Sequence, residues 1–228
     1  MTKQYRVPTK NKIARAFLRP FFRGLFHILS SVKINGRENV PDGGPYLICI
    51  NHVSLYDPPF IVAFWPMCPE AVGAVELWDR RGIATLARLF SGIPVRRGQY
   101  DRMLFETMTK VLAAGRPLLI APEGQRSHAP GLQPGLPGVA FIAEKMEAFV
   151  VPVGIVGATD DFLSKSLKGQ RPIIEMHIGQ PFRLPLDHKK DKSRKVIRQE
   201  NTDLIMIRIA ELLPENYRGY YGGSSSQS

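Results

Sequence analysis

The chain has 228 residues, of which 44% are hydrophobic and 22% charged, and its formal net charge is +11. This composition is that of a folded globular protein, and the length suits one domain. No run of residues approaches the roughly 18 to 20 uninterrupted apolar positions of a membrane-spanning helix. The two cysteines, Cys49 and Cys68, have no metal-binding or redox spacing. The sequence therefore predicts a globular protein that does not cross a membrane.

The positive charge is concentrated at the N-terminus. Residues 1–40 contain nine lysines and arginines against the single acid Glu38, which accounts for +8 of the net charge of +11. A terminal concentration of one sign of charge indicates a partner at that end of the chain.

The N-terminal segment has the apolar spacing of an amphipathic helix. Apolar residues recur every four positions from Ile13 to Val32. Basic residues occupy another face, without acids to pair them: Arg15, Arg19 and Arg23. A basic amphipathic helix with aromatics is typical of segments that lie on a bilayer surface, and Pro20 predicts a break into two short helices. We therefore assign 1–31 to basic amphipathic membrane-docking helices. The alternative is an ordinary helix packed on the domain.

After Val32, short apolar runs alternate with helical stretches. The predicted strands are 32–36, 46–50, 71–76, 93–96, 117–121, 149–155 and 172–178, and the predicted helices are 57–65, 79–90, 100–114, 137–147 and 193–212. This alternation predicts a single α/β domain over 32–215, with a mixed, largely parallel sheet flanked by helices and preceded by the N-terminal amphipathic segment. The end of the chain is rich in Gly and Ser, which predicts a flexible tail over 216–228.

The most informative polar segment follows the apolar run 46–50, where His52 and Asp57 lie five positions apart. Ligands bind at the carboxyl ends of strands in α/β sheets. A histidine there can accept a proton from a hydroxyl, and the carboxylate of Asp57 can fold back onto its other ring nitrogen. The competing interpretation is structural, because Ser54 and Asp57 also match a helix capping box.

Three further clusters carry candidate binding residues. Arg97 ends a predicted strand, and its planar guanidinium suits a phosphate. Glu123, Gly124 and Arg126 follow the next apolar run and could bind polyol hydroxyls and phosphate, while the glycine permits close backbone approach. Pro152 lies in a predicted strand, where its missing backbone N–H donor is tolerated only at an edge or a bulge. Each cluster also has a plain structural interpretation: solvated arginines, an internal Glu–Arg pair, and core packing.

In this order and at these intervals, the four clusters resemble the glycerolipid acyltransferase family typified by lysophosphatidate acyltransferases. The resemblance spans roughly 32–157. Asn51-His52 through Asp57 matches the family's Asn-His-x4-Asp signature. The other matching segments are Ile93-Pro94-Val95 with Arg97-Gly98, Pro122-Glu123-Gly124 with Arg126-Ser127, and Val151-Pro152-Val153.

The resemblance implies an enzyme that moves a fatty acyl group from an acyl thioester to the free hydroxyl of a lysophospholipid, by default 1-acylglycerol-3-phosphate. His52 would be the general base, oriented by Asp57. The family's substrate-binding positions correspond here to Arg97, Glu123, Gly124, Arg126 and Pro152. The donor would be acyl-CoA or acyl carrier protein, with no metal and no other cofactor. The expected place of action is the cytoplasmic face of a membrane, on anionic lipid.

Some residues depart from the family pattern. Arg96 stands where many members have an acid, Gln125 replaces a common threonine, and Gln133 replaces a frequent lysine. These departures leave the His–Asp pair intact and leave open an acyltransferase acting on another lipid acceptor. A catalytically silent lipid-binding protein is a further alternative. The pI of about 9.9 raises nucleic acid as a partner, but the charge lies beside an apolar helical face and no nucleic-acid-binding motif is present, so none is expected.

Overall fold

The computed structural model describes residues 4–99, 101–128, 130–185 and 193–223, which form one seven-stranded sheet with helices on both faces. The strands are β1 Ser31–Asn35, β2 Tyr46–Ile50, β3 Glu70–Ala74, β4 Ile93–Val95, β5 Leu118–Ile120, β6 Phe149–Val156 and β7 Ile173–Ile178. The helices are α1 Thr9–Leu29, α2 Asp57–Phe64, α3 Ile83–Leu89, α4 Arg102–Ala113, α5 Gly138–Met146, α6 Phe162–Leu167 and α7 Arg194–Ala210. Helix α6 was not predicted from the sequence, and residue 100 of the predicted helix 100–114 lies outside the described residues.

The strand order is β1-β7-β6-β2-β5-β3-β4. Strands β6, β2, β5, β3 and β4 run parallel to one another, β7 is antiparallel to β6, and β1 is parallel to β7. The predicted α/β domain with a mixed, largely parallel sheet is therefore confirmed. Polar segments that follow the five parallel strands all emerge at one edge of the sheet, which we call the carboxyl edge.

Strand β2 is buried along its whole length, as expected for a parallel strand covered on both faces. Its side chains alternate between two apolar clusters. Leu47 and Cys49 join the cluster that packs under α4, α5 and α7. Ile48 and Ile50 join the cluster that packs under α1, α2 and α6. The domain thus has three layers with the sheet in the middle.

Helix α1 differs from the prediction, because it is one continuous helix of 21 residues with Pro20 inside it. Proline inside a helix costs roughly 3 kcal/mol. Here Pro20 lies on the exposed side of α1, and inward-facing arginines on both sides of it bond to the domain. These are Arg15, Arg19 and Arg23. The contacts of these arginines hold both halves of α1 in place, so the helix is not divided.

The orientation of α1 is also the reverse of the usual amphipathic arrangement. Arg15 is buried, and its guanidinium bonds both oxygens of the buried Glu70 at 3.0 and 2.6 Å. The exposed side of α1 between residues 13 and 28 carries no lysine or arginine. Its large apolar side chains are Ile13, Phe17, Phe21, Leu25 and Ile28. We call these five residues the outer face of α1.

The predicted flexible tail does not begin at residue 216. Residues up to 223 form two short 3-10 turns whose Tyr217 and Tyr221 are buried against the core. The Tyr221 hydroxyl donates to Asp203 Oδ1 at 2.9 Å and accepts from the amide of Gly135 at 3.1 Å. The buried Tyr217 and Tyr221 thus hold this glycine-containing segment against the core. Residues 224–228 of the predicted tail lie outside the described part of the chain.

Candidate active site

The site begins where β2 ends, and Asn51 fixes that end. The side-chain amide of Asn51 donates to the carbonyl of Ile155 at 2.9 Å, and its oxygen accepts from the amide of Ile155 at 2.7 Å. These two bonds continue the β2–β6 pairing beyond the last backbone pair, Ile50 with Val153. Asn51 is therefore a structural clamp on the residue before His52, a role that sequence reasoning did not assign.

The predicted His–Asp pair is formed. His52 Nδ1 lies 2.9 Å from Oδ2 of Asp57, the first residue of α2. The same carboxylate oxygen accepts from the amides of Val53 and Ser54, each at 2.8 Å. An oxygen that accepts from two amides is an acceptor for the ring as well, so Nδ1 carries the proton and the lone pair is on Nε2. Asp57 thus both shapes the loop and orients the ring. The expected capping box is not formed, because α2 begins at Asp57 with Tyr56 as its N-cap and the Ser54 hydroxyl accepts from the amide of Tyr56.

The environment of the pair suits a base. Asp57 is 1% exposed, whereas the His52 side chain is 18% exposed. Burial raises the pKa of Asp57, and the hydrogen bonds from His52 and from the amides of Ser54 and Val53 oppose that effect. Among the described residues, none bonds to Nε2 of His52. An oriented imidazole with a free Nε2 at a strand end can take a proton from a bound hydroxyl.

The Glu123 carboxylate bonds to the backbone of His52 and is not exposed to solvent. It is buried, and its two oxygens accept from the amides of His52 and Gln133, each at 2.9 Å. On the other side, the amide of Ser127 donates to the carbonyl of His52 at 2.9 Å. Burial raises the pKa of Glu123 to about 7, against the effect of its bonds to the amides of Gln133 and His52. The loop after β5 therefore fixes the loop after β2 that carries His52.

Gly124 is required by the turn itself. Its φ of +68° lies in the left-handed region, and a Cβ there would lie 2.4 Å from Cδ1 of Leu136. A larger residue would be strained in the backbone and would displace Leu136. This local requirement explains the glycine without reference to a ligand, and the predicted role in binding glycerol stays a prediction.

The two predicted arginines both lie at the carboxyl edge. Arg126 follows β5, the neighbour of β2, and its guanidinium lies 3.4 Å from Asp160 on the loop after β6. Arg97 is exposed just after β4. Three strand spacings separate β4 from β2, or roughly 14 Å at about 4.8 Å each. Asp160 gave no signal in the sequence, because 34 residues separate it from Arg126.

Pro152 does not reach this edge. It is buried within β6, paired with Cys49, three positions before His52 on the neighbouring strand. Its carbonyl accepts from the amide of Gly179 at 2.9 Å. Between the Val153–Ile178 pair and the Val150–Phe182 bridge, β6 has two residues and the facing chain has three, so the facing chain carries one extra residue. Pro152 therefore sits at a bulge, where its missing donor is tolerated. The structure separates it from the other predicted substrate-binding residues.

The described residues contain no group of three or more His, Cys, Asp or Glu side chains placed to hold a metal ion. Within the same part of the chain, no helix combines the length and the apolar character that crossing a bilayer requires.

Comparison with known proteins identifies the family of this three-layer α/β domain, which carries a histidine–aspartate pair at its carboxyl edge. A family model described as Acyltransferase matches residues 31–156, just over half of the chain. The chain belongs to this acyltransferase family. The resemblance noted from the sequence and the predicted enzyme class are thereby confirmed.

The fold is also similar to a solved structure. The crystal structure of PlsC from Thermotoga maritima, a 1-acyl-sn-glycerophosphate (LPA) acyltransferase, aligns with a TM-score of 0.63 and 24% sequence identity. The alignment covers 89% of this chain and 80% of that chain. At this identity the likeness concerns the fold.

Proposed function

We propose that this protein transfers a fatty acyl group from an acyl thioester to the free hydroxyl of a lysophospholipid, by default 1-acylglycerol-3-phosphate, giving phosphatidic acid. The observation that carries the proposal is the His52–Asp57 pair, whose Nε2 is free among the described residues. Membership of the acyltransferase family supports the reaction class.

The chemistry uses the acceptor's own hydroxyl as the nucleophile. Nε2 of His52 removes the hydroxyl proton as the oxygen attacks the thioester carbonyl, and the charge on the ring is offset by Asp57. The tetrahedral intermediate then collapses, the carbon–sulfur bond breaks, and the thiolate takes the proton back from His52. The donor is acyl-CoA or acyl carrier protein, and the step needs no further cofactor.

Arg97 and Arg126 are the proposed phosphate contacts. Both are guanidiniums at the same edge as His52, and Arg126 is steadied by Asp160 at 3.4 Å. A guanidinium binds a phosphate through two parallel donors, which fixes orientation as well as affinity. Glu123 and Gly124 act in this scheme mainly by holding the loop that faces the acceptor, because their contacts are with the chain itself.

The proposed partner surface is a membrane, met at its cytoplasmic face by the outer face of α1. Phe17 is 74% exposed and Ile28 72% exposed, and soluble surfaces seldom carry a contiguous stripe of this kind. Such a helix lies in the interface with its apolar side in the acyl chains. The exposed Lys10 and Lys12 at its start supply attraction to anionic lipid, which is worth up to about 1 kcal/mol each.

The decisive test is turnover by the purified protein with labelled acyl-CoA and a panel of lysolipids, with products identified by mass. We expect a diacyl phospholipid product from the wild type and a loss of about 10² to 10⁴ in rate for His52→Ala. The matched control is His177→Ala, because His177 lies on β7, two strands from β2, and its ring contacts Glu175 rather than the His52–Asp57 pair. Undiminished turnover in His52→Ala would exclude the mechanism, and binding of lysolipid without product would indicate a silent lipid-binding protein.

A further inference from the structure

Helix α2, which begins with Asp57, lacks a cap of its own at its C-terminal end. The last four carbonyls of any helix have no partner within the helix. Its sequence, DPPFIVAF, ends without a glycine and has no basic residue in the last turn. The two usual ways of satisfying a helix C-terminus from within the same segment are therefore missing.

Arginines of α1 supply the missing partners. Arg19 Nε donates to the carbonyl of Val62 at 2.9 Å, and its terminal nitrogen reaches the carbonyls of Trp65 and Pro66. Arg23 Nε donates to the carbonyl of Ala63 at 2.5 Å. These contacts satisfy the end of α2 and place positive charge at the negative end of its dipole.

Helix α2 connects the arginine contacts at its C-terminal end with the His52–Asp57 pair at its N-terminal end. Its eight residues span about 12 Å, and Asp57 is at the other end with its carboxylate against His52. Any tilt or fraying of so short a helix moves its first residue as well as its last.

A second contact path runs in the same direction. The ring of Phe26 on α1 packs on Phe60 of α2, with centroids 5.1 Å apart, and on Phe162 at 6.2 Å. Phe162 in turn packs on Tyr56 at 5.2 Å, and Tyr56 immediately precedes Asp57. The inner side of α1 therefore contacts α2 at Phe60 and reaches the residue before Asp57 through Phe162.

We propose that Arg19 and Arg23 are positioning residues for the dyad: by capping α2 they hold the Asp57 carboxylate in place against His52. The proposal rests on the catalytic role of the dyad given above. It changes the role of the α1 arginines, which the sequence presented as charges for an anionic surface. The helix whose outer face meets lipid also sets the geometry of the base, so docking and catalysis share one element.

The test separates the inner from the outer side of α1. The double variant Arg19→Ala/Arg23→Ala is compared with Arg194→Ala/Lys195→Ala, which removes the same charge from exposed positions at the start of α7. Steady-state kinetics use acyl-CoA and a short-chain, monodisperse lysophosphatidate, and co-sedimentation uses neutral phosphatidylcholine vesicles. Because misplacement by about 1 Å costs about 10²-fold, we expect kcat to fall 10- to 100-fold in the Arg19/Arg23 variant, with KM little changed and vesicle binding retained. The α7 variant should keep the wild-type kcat.

A milder pair of variants decides the matter if the double variant does not fold. Arg23 has one carbonyl contact, which a lysine can also make, so Arg23→Ala should lower kcat by about 10-fold and Arg23→Lys should restore it. A wild-type kcat in folded Arg23→Ala overturns the proposal, as does a loss of vesicle binding with kcat intact. These outcomes differ from a failure of the proposed reaction, in which the wild-type protein itself would form no product.

Discussion

At the scale of single residues, the exposed Arg97 is the side chain whose proposed role depends most on the substrate. A charged hydrogen bond is worth roughly 1.5 to 3 kcal/mol, or about 10- to 150-fold. Arg97→Ala should therefore weaken kcat/KM by that factor for lysophosphatidate and by much less for an acceptor without phosphate. Arg102→Ala is the control, because Arg102 pairs with Glu106 on α4. Equal losses for both acceptors would mean that Arg97 acts structurally.

Glu123 makes stability depend on pH in an unusual direction. Burial raises its pKa to about 7 from an ordinary value of 4.5. Between these values the folded protein keeps a proton that the unfolded chain has released, so this group lowers stability as pH rises from about 4.5 to about 7 and adds no slope above. Glu123→Gln cannot ionise and should lack that slope.

Melting temperatures of wild type and Glu123→Gln across this pH range measure the effect. The wild type should lose stability relative to the variant as pH rises towards about 7, after which the difference should be constant. Glu106→Gln, at an exposed glutamate, should run parallel to the wild type. Parallel curves for Glu123→Gln as well would show that Glu123 ionises normally in the folded protein.

Short-range chemistry was the most predictable part of the site. His52 and Asp57 are five residues apart, so a single turn can bring them together, although the same spacing also allowed a helix cap. The bond from Glu123 to the His52 amide joins residues 71 positions apart. It depends on β5 lying beside β2, and strand order is not encoded in local spacing. The motif thus marked Glu123 as a candidate but could not indicate that its carboxylate bonds to the His52 amide.

At the scale of elements, α1 is where local pattern was most misleading. Periodicity identifies two faces of a helix but does not say which of them meets the domain. Apolar residues normally face inward, yet here the carbonyls at the end of α2 and the carboxylate of Glu70 offer better partners to arginine than water does. Burying charge is favourable only when it is paired and hydrogen-bonded. Those partners lie 40 to 55 residues away, beyond the reach of the pattern.

The outer face of α1 predicts how the protein meets lipid. Phe17→Asp/Phe21→Asp places two carboxylates where apolar side chains would enter the bilayer, which should abolish co-sedimentation with vesicles. Activity on a soluble short-chain acceptor should persist, since these side chains are exposed whereas the capping arginines face the domain. Val196→Asp, at an exposed position on α7 in the opposite layer, should bind vesicles normally. Unchanged pelleting of the α1 variant would place the docking surface elsewhere.

At the scale of the whole molecule, one buried ion cluster ties α1 to the sheet. Glu70 is fully buried and pairs with Arg15 and Arg116, each at 2.6 Å. Tyr5, ahead of α1, lies near the same carboxylate, and burial together with the charge of Glu70 raises the pKa of Tyr5 to about 12. The start of the chain, the sheet and the segment before β5 thus meet at one carboxylate, so α1 is a part of the domain as well as its proposed lipid contact.

Removing that carboxylate should destabilise the protein strongly. Glu70→Ala leaves one buried and one partly buried guanidinium, those of Arg15 and Arg116, without their shared partner, and breaking a buried pair typically costs about 3 to 5 kcal/mol. For a chain of this size each kcal/mol corresponds to about 2 to 4 °C, so the melting temperature should fall by about 6 to 20 °C. Glu106→Ala breaks an exposed pair and should change it by little, because such pairs contribute at most about 1 kcal/mol. A small shift in Glu70→Ala would mean that water replaces the carboxylate.

The inverted orientation of α1 also governs which changes the helix can accept over generations. Outward positions such as Phe17 and Phe21 can exchange one apolar side chain for another but reject charge, although they are exposed. The inward Arg19 rejects almost any exchange, because no other side chain offers several donors to carbonyls in fixed positions. Along this helix, tolerance to substitution therefore depends less on exposure than on what each side chain contacts: exposed apolar positions exclude charge, and the half-buried Arg19 excludes a side chain with fewer donors.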